Sequence, residues 1–261
     1  MIAFNRVCQN HASLQITSWN AQALRSCVHE LEELINDWNP DVTLVQETQL
    51  RPCNKVEIPN FNFYQTDRLT HGGGGTAIFI KRSISHHQIF IPSQSFENMA
   101  IILNRSNAKP ITIVSVYRPH PPIKINEQDL QQFFRNRDCC LIIGDFNAKH
   151  RYWNPHPRIN QARTVIFKFC NKMSISIHAP DRPTRFDAHG VNTTLGIALA
   201  KGLHSMTTIS ISELTSNHNP VNFDILLNNF TSAPLNTFSF PNWQKFQAVL
   251  SRYIPGNPHL K

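Results

Sequence analysis

LIIGDFNAKH, at residues 141–150, is the most informative stretch of this sequence. Residues 140–143 form a short apolar run that stops at Gly144, which is typical of a buried strand ending in a turn. Asp145 and Asn147 then place a carboxylate and an amide two residues apart at the end of this strand. That pair suits the activation of a water molecule beside a metal-bound phosphate. An Asx turn leaving a strand uses the same residue types, so the pair alone leaves both interpretations open.

Composition limits the class of protein to which this stretch belongs. The 261 residues are 41% hydrophobic and 16% charged, which is typical of a globular chain that buries a sizeable core. Twenty-five Lys and Arg against seventeen Asp and Glu give a formal net charge of +8. This balance favours a polyanionic partner such as nucleic acid. The basic residues are scattered, and no run of five or more forms a nuclear-localisation cluster.

Cysteine and histidine usage argues against a structural zinc site. None of the six cysteines forms a C-x-x-C pair or alternates with His at zinc-finger spacing, so we interpret them as reduced thiols. His150 and His156 have no third ligand nearby in sequence, which favours surface residues over a metal site. The first thirteen residues lack the apolar segment of a signal peptide, and no stretch nears the ~18 apolar residues of a membrane span. We therefore expect an intracellular, soluble protein without a membrane partner.

The first part of the chain predicts a strand, a helix and a strand. Residues 14–18 alternate like a strand, residues 28–38 have apolar side chains at helical spacing, and residues 42–46 are the next apolar run. Asn20 follows the first strand and Glu47 follows the second. Both side chains are therefore expected at one rim of a sheet, although an ordinary solvated carboxylate remains the alternative for Glu47.

HGGGG, at residues 71–75, has two interpretations. Its glycines permit positive φ and close backbone approach, as in a phosphate cradle. No Gly-Lys-Ser/Thr follows as in a P-loop, and no G-x-S-x-G nucleophile elbow occurs, so we favour a flexible hairpin leading into a strand at residues 76–81. The apolar runs that follow predict an antiparallel meander, and they lie at residues 86–91, 99–103 and 111–116.

The second half continues the alternation of helices and short strands. Helices are predicted at residues 127–135 and 163–172, and further strands at residues 175–178, 185–186, 194–199, 207–211 and 221–226. Beyond Asn228 the sequence becomes rich in Pro, Ser, Thr and Asn, with a short amphipathic piece at residues 243–250. We divide the chain into an extension at 1–13, a domain at 14–228 and a linker or tail at 229–261.

The order of the polar strand ends resembles the endonuclease/exonuclease/phosphatase superfamily, which has the DNase-like fold. Within it, the chain is most similar to the apurinic/apyrimidinic-type endonuclease domain of a non-LTR retrotransposon polyprotein of the jockey group. The resemblance covers residues 14–226. It is carried by SWNAQAL (18–24), DVTLVQET (41–48), HGGGGTAIFIK (71–81), VSVYRPH (114–120), LIIGDFNAKH with Trp153 after it, and SNHNPV (216–221).

The resemblance implies both a fold and a metal cofactor. The fold is α/β (α+β), a four-layer αββα sandwich of two mostly antiparallel sheets with outer helices, whose strand-end loops form one catalytic rim. The cofactor is Mg²⁺, or Mn²⁺, held by Glu47 with Asn20 beside it. One or two carboxylates with several waters are a common Mg²⁺ site.

The resemblance also implies a role for each remaining strand-end residue. Asp145 orients or deprotonates the attacking water, and Asn147 holds Asp145 and the phosphate. Tyr117 contacts the phosphate or the leaving oxygen. His218 polarises a phosphate oxygen as negative charge builds up in the transition state.

Two positions depart from the family pattern at the chemistry. Gly196, in the stretch TLGIA, stands where the family has an Asp that pairs with the catalytic His. Asn217, in the stretch SNH, stands where the family has the Asp of Ser-Asp-His. Ala162 also replaces a usual Gly, a change that bears on a turn more than on catalysis. Loss of an Asp that orients a catalytic His costs about 10⁴-fold in the serine-protease template, so we expect a weakened activity.

Three functions are therefore weighed. The first is a Mg²⁺-dependent endonuclease that nicks DNA, with nuclear localisation and a reverse transcriptase module in the parent polyprotein, as the family implies. The second is a non-catalytic DNA-binding remnant of a retroelement, which Gly196 and Asn217 favour. The third is a phosphomonoesterase or phosphoinositide phosphatase of the same superfamily, which the retroelement resemblance disfavours.

Overall fold

The computed structural model describes residues 13–70, 72–119, 124–154, 161–186, 192–214 and 216–227, with Phe230 and Gln247. Almost all of the predicted N-terminal extension, the tail and the amphipathic piece at 243–250 lie outside these residues, as does His156. In chain order the elements are β1 (Ser13–Asn20), α1 (Leu24–Trp38), β2 (Val42–Gln46), β3 (Phe61–Thr66), β4 (Thr76–Lys81), β5 (His86–Ile89), β6 (Glu97–Leu103), β7 (Ile111–Tyr117), α2 (Glu127–Phe134), β8 (Cys139–Asp145), α3 (Gln161–Met173), β9 (Ser176–His178), β10 (Gly196–Lys201), β11 (Met206–Ser210) and β12 (Val221–Leu226).

The strands form two six-stranded sheets that repeat one arrangement. The first has the order β11-β12-β1-β2-β4-β3, and the second has the order β5-β6-β7-β8-β10-β9. Each sheet is antiparallel except for a central parallel pair, β1 with β2 and β7 with β8. Each parallel pair is joined by a helix, α1 or α2, as a parallel connection requires. The carboxyl ends of these parallel pairs carry Asn20, Tyr117 and Asp145.

Three apolar clusters show how the layers pack. Residues such as Ile16, Leu44 and Ile143 lie between the sheets and are fully buried. A second cluster includes Leu130 of α2 and lies outside the second sheet, while a third includes Leu31 of α1 outside the first. This alternation of helix, sheet, sheet and helix confirms the predicted four-layer sandwich.

Most predicted elements are present, and the predicted meander of β5, β6 and β7 is antiparallel. The predicted strand at residues 185–186 is wrong. Arg185 makes isolated bridges to Thr193 and His218 and starts no ladder, because it pairs with two different segments at one position.

Helix α1 begins four residues before its predicted start. Its first turn has no side-chain cap. Instead, the backbone N–H groups of Ala23 and Leu24 donate to the carbonyls of Glu47 and Thr48, at 2.9 and 3.0 Å. Contacts with the loop after β2 therefore fix the start of this helix. The helical periodicity of the sequence does not predict this start, because the contacts come from a distant segment.

A buried polar chain joins the two sheets just beneath the strand ends. The hydroxyl of Ser18 donates to Gln46 Oε1 at 3.3 Å, and Gln46 Nε2 donates to Ser115 Oγ at 3.1 Å. All three side chains are buried. Because burying polar groups without partners is costly, this series of side-chain hydrogen bonds selects one register between the facing sheets.

Two further expectations concern thiols and membranes. The five cysteines in the described part of the chain are free, with Cys140 and Cys170 buried. Burial raises the pKa of both thiols to about 12, so both stay protonated near neutral pH. None of the helices that the structure describes is long and apolar enough to cross a membrane.

Candidate active site

The predicted site residues come together in one pocket at the strand ends. Glu47, Tyr117, Asp145, Asn147 and His218 line this pocket, which has a volume of about 360 Å³. They arrive from both sheets, because the parallel pairs of the two sheets end on the same side of the molecule.

Asn20 lies beneath the pocket and connects the two sheets. Its Nδ2 atom donates to Glu47 Oε1 at 2.8 Å and to Asp145 Oδ2 at 3.0 Å. An amide group has two N–H donors, so each carboxylate takes one of them. The backbone N–H of Gln22 donates to Asn20 Oδ1 at 3.2 Å, which fixes the orientation of the amide. Asn20 is 4% exposed, so this bridge is shielded from water.

Asp145 is held from its other side by the turn that follows it. The backbone N–H of Asn147 donates to Asp145 Oδ1 at 2.9 Å, which makes the turn an Asx turn. The side chain of Asn147 donates to the carbonyl of Arg118 at 2.8 Å, and Arg118 donates back to the Asn147 carbonyl at 3.2 Å. The Asx-turn interpretation of the Asp145 and Asn147 pair is therefore confirmed, and the role of the pair in activating water stays a prediction.

The residue before Asp145 is a glycine because β8 passes very close to β7 at this position. The φ of Gly144 is +152°, and a Cβ atom there would lie 2.0 Å from the carbonyl oxygen of Val116 on β7. No larger residue fits without moving the neighbouring strand. Close approach of β8 to β7 thus brings Asp145 directly beside Tyr117, its partner in the parallel register.

Glu47 and Tyr117 are coupled across the pocket. Glu47 has a φ of 49°, a left-handed conformation that is uncommon for a non-glycine residue and clusters at functional sites. Burial raises the pKa of Tyr117, and the charge of Glu47 and a hydrogen bond to it raise this pKa further. Tyr117 therefore stays a neutral hydrogen-bond donor at physiological pH.

His218 faces Asp145 across the pocket. The distance from His218 Nδ1 to Asp145 Oδ2 is 3.9 Å, too long for a hydrogen bond but close enough for attraction when the ring is protonated. Gly196 pairs with Asp145 in the antiparallel register of β8 and β10. A side chain at position 196 would therefore project from the same face of the sheet as Asp145.

The segment around His218 is fastened through its backbone. The indole Nε1 of Trp19 donates to Ser216 Oγ at 3.0 Å and to the carbonyl of His218 at 3.1 Å. Ser216 Oγ also accepts from the backbone N–H of His218 at 3.2 Å. The side chain of Asn217 is exposed, while its carbonyl accepts from Phe186 N at 2.9 Å. The placement of His218 thus depends on Trp19 and Ser216.

Several pocket residues were not named as site residues from the sequence. They are Gln22, Arg68, Gly72, Gly73, Gly74 and Arg185. The HGGGG loop joins the antiparallel strands β3 and β4, as the hairpin interpretation requires, and three of its glycines also line the pocket. Arg68 pairs with Glu97, and a Cβ atom on Gly74 would collide with both side chains at 2.3 and 2.5 Å. Loop residues have no periodicity, so the sequence carried little signal for them.

The donor set fits one kind of metal site. Within the described residues, no three His, Cys, Asp or Glu side chains converge to form a protein-only cage. Glu47 offers a hard carboxylate donor to the open pocket, while Asn20 faces it with Nδ2 and its Oδ1 accepts from the backbone N–H of Gln22. Mg²⁺ keeps several waters and is commonly held by one or two carboxylates and substrate phosphates, so these residues fit it.

Sequence comparisons agree with this geometry. A family model described as endonuclease-reverse transcriptase matches residues 111–222. The RNA-directed DNA polymerase from mobile element jockey of Drosophila melanogaster is 24% identical over 214 residues, covering 80% of this chain and 23% of that protein. The probable RNA-directed DNA polymerase from transposon X-element of the same fly is 25% identical over 217 residues, covering 80% and 24%. The chain thus spans about a quarter of the length of these relatives.

Solved structures share the fold. The endonuclease domain of TRAS1, a telomere-specific non-LTR retrotransposon, superposes with a TM-score of 0.62 at 19% identity, covering 82% of this chain and 98% of that chain. The AP endonuclease LMAP from Leishmania major gives a TM-score of 0.68 at 13% identity, with coverage of 83% and 89%. The fold is thus that of the DNase-like endonucleases, and in sequence residues 111–222 are similar to the endonuclease-reverse transcriptase family. The chain is therefore similar in sequence to the polymerase from mobile element jockey and in fold to the endonuclease domain of a non-LTR retrotransposon, in agreement with the resemblance drawn from its sequence.

The support of His218 by Trp19 gives a testable consequence. We expect Trp19→Phe to lower the free energy of unfolding by about 2 kcal/mol, because it leaves buried oxygens without their donor and removes packed ring atoms. Urea unfolding followed by far-ultraviolet circular dichroism measures this loss. Trp38→Phe is the matched control, since its indole donates to Glu213 at an exposed position, 3.0 Å away. Equal losses in the two variants would contradict the role given to Trp19.

Proposed function

We propose that this domain is a Mg²⁺-dependent DNA endonuclease that nicks one phosphodiester bond, with activity weakened by Gly196 and Asn217. The observation that carries the proposal is the buried amide of Asn20 between Glu47 and Asp145, at the floor of a pocket that also contains Tyr117. An Asx turn alone needs no second carboxylate from another sheet. The arrangement therefore supports catalysis over a purely structural turn.

Glu47 would hold the metal ion, with Asn20 beside it as the residue that orients its carboxylate. When bound, Mg²⁺ would neutralise negative charge on the phosphate as the reaction proceeds. Asn20 also fixes the carboxylate of Glu47 through Nδ2, so the metal ligand is oriented before any ligand arrives.

Asp145 would take the proton of the attacking water. Both of its oxygens are fixed, Oδ2 by Asn20 and Oδ1 by the backbone of Asn147. Each carboxylate oxygen still has a lone pair free for a further hydrogen bond, so the group can accept a water proton without losing its supports. A carboxylate held in this way acts as a general base with little reorganisation.

Tyr117 and His218 would act on the phosphate. Tyr117 stays neutral and protonated, so it can donate a hydrogen bond to a phosphate oxygen. A protonated His218, with Nδ1 towards Asp145, would donate from its other ring nitrogen. Donors aimed at growing negative charge stabilise the transition state more than the ground state.

The weakened nicking activity that we propose follows from the position of Gly196. In the family this residue is an Asp that orients the histidine. Here the carboxylate that His218 faces is Asp145 itself, which is also the proposed base. The same carboxylate would therefore have to orient the histidine and accept the water proton, so one group would serve two competing purposes.

A non-catalytic DNA-binding remnant is the second candidate. Gly196 and the exposed Asn217 favour it, since both replace a carboxylate of the family pattern. DNA is the proposed partner in both cases, and the +8 charge of the chain supports this. By similarity to the RNA-directed DNA polymerases named above, we also propose a parent polyprotein with a reverse transcriptase module and action in the nucleus.

Restoring the two carboxylates is the experiment that separates these candidates. We expect Gly196→Asp with Asn217→Asp to raise Mg²⁺-dependent plasmid nicking on the order of 10²-fold, the usual scale for a positioned acid–base group. A Cβ atom at position 196 would lie 3.3 Å from Val221 Cγ2, so that Val221 must move by a few tenths of an ångström, and 3.7 Å from Thr184 Oγ1. Each single change should help little, because groups that act as a unit are strongly non-additive.

Adding Asp145→Asn to the restored protein should abolish the gain, which would identify Asp145 as the group that activates water. If the double restoration keeps its circular dichroism spectrum yet nicks no faster than the starting chain, the remnant interpretation replaces the endonuclease.

Metal binding is tested separately from nicking. We expect calorimetry to detect weak Mg²⁺ binding by the unaltered chain and its near-complete loss in Glu47→Ala, because Glu47 is the proposed carboxylate ligand. Glu57→Ala, which removes an exposed carboxylate elsewhere, is the matched control and should leave the affinity unchanged. The same Mg²⁺ affinity in all three proteins would rule out the assignment.

A further inference from the structure

A second cavity, of about 510 Å³, lies at the end of the second sheet opposite the candidate active site. Its lining includes Lys109 and Asp138, just before β7 and β8 begin. Because each of these strands has seven residues, about 20 Å of sheet separates the cavity from the candidate active site. A ligand group bound in one cannot occupy the other.

The cavity is basic. Lys109, Arg135 and Arg137 line it together with one acidic residue, Asp138. Lys109 lowers the pKa of Asp138 most, and Lys201 lowers it further, which places a fourth cation beside the cavity. Four cations around one carboxylate leave an excess of positive charge that attracts anions.

The carboxyl end of α2 also borders the cavity, and a helix end of this polarity normally repels anions. Here basic side chains cover it. Arg137 Nη1 donates to the carbonyls of Gln132 and Phe133 at 2.8 and 3.1 Å, and Lys201 Nζ donates to the carbonyl of Phe134 at 3.4 Å. The last carbonyls of α2 therefore present a positive surface, and the guanidinium of Arg137 is fixed in place.

The ion pair of Lys109 and Asp138 does not close the cavity. Its atoms are 2.8 Å apart, and each side chain is 69% exposed. Ion pairs in such exposed positions contribute little to stability. Lys109 can therefore turn from Asp138 to an incoming phosphate at low cost.

We propose that this cavity binds backbone phosphates of a second DNA segment, apart from the segment at the candidate active site. A row of cations suits consecutive phosphates, and neutralising them releases counterions. Because the two cavities lie at opposite ends of the sheet, one straight duplex on the active-site rim does not reach both. The domain would thus hold two duplexes, or two parts of a bent one. This proposal does not depend on catalysis.

Stoichiometry tests the proposal without cleavage. The protein carries Asp145→Asn and is kept in EDTA, and sedimentation velocity at low salt counts bound copies of a short fluorescent duplex. We expect two duplexes per protein, and one after Lys109→Glu with Arg135→Glu. Lys55→Glu with Lys168→Glu makes the same charge change at exposed positions elsewhere and should keep two. The milder pair Lys109→Gln with Arg135→Gln should weaken the second site and leave the fold intact.

Three results would overturn the proposal. The parent protein could bind a single duplex that Lys109→Glu with Arg135→Glu still binds, or the Lys109 and Arg135 variants could still bind two; a single duplex lost in the variant would instead place DNA in the cavity and not at the candidate active site. A nucleoside triphosphate, titrated as the competitor, could displace the second duplex at concentrations lower than that of the duplex and lower than those at which the matching nucleoside, which has no phosphates, displaces it. That result would make the cavity a nucleotide site. In a protein with Asp145 intact, any nicking of a short duplex should be unchanged by Lys109→Glu with Arg135→Glu, so failure of the second site is distinguishable from failure of the proposed catalysis.

Discussion

The two N–H groups of one amide hold the rim of the candidate active site together. Asn20 ends a strand of the first sheet, and its Nδ2 atom reaches Glu47 from the same sheet and Asp145 from the other. Two carboxylates placed close together repel each other, and the buried donors between them offset that repulsion. The geometry requires the two sheets to face each other in one register, which the chain from Ser18 through Gln46 to Ser115 secures. These buried polar contacts therefore determine where the side chains of the candidate active site are placed.

Sequence predicted the architecture well because strand ends in this fold are marked twice, by the stop of an apolar run and by a polar residue after it. Asp145 after residues 140–143 is one such case, and Glu47 after residues 42–46 is another. The resemblance supplied the roles of these residues. Sequence failed where position depends on contacts between distant segments. Arg68 lies in the pocket because its loop folds back onto Glu97, and no periodicity marks a residue of this kind.

The departure at Gly196 changes the site more than the departure at Asn217. Gly196 lies opposite Asp145 in the sheet, so a carboxylate at position 196 would project from the same face as Asp145. Asn217 is exposed, and its backbone carbonyl keeps its hydrogen bond with Phe186 whatever its side chain. The backbone support of His218 by Trp19 is also intact. The backbone supports of His218 therefore depend on neither side chain, while a carboxylate at position 196 would alter the electrostatic environment of the histidine.

The central claim is that Asn20 interacts directly with Asp145, and a double-mutant cycle measures that interaction without substrate or metal. Asn20→Ala, Asp145→Ala and the double variant are compared with the unaltered chain by urea unfolding. Both side chains are buried, and a hydrogen bond to a charged group contributes about 1.5–3 kcal/mol. We predict a coupling free energy of about 1.5 kcal/mol or more, with the double variant less destabilised than the sum of the single changes. Additive losses would contradict the bridge on which the site depends.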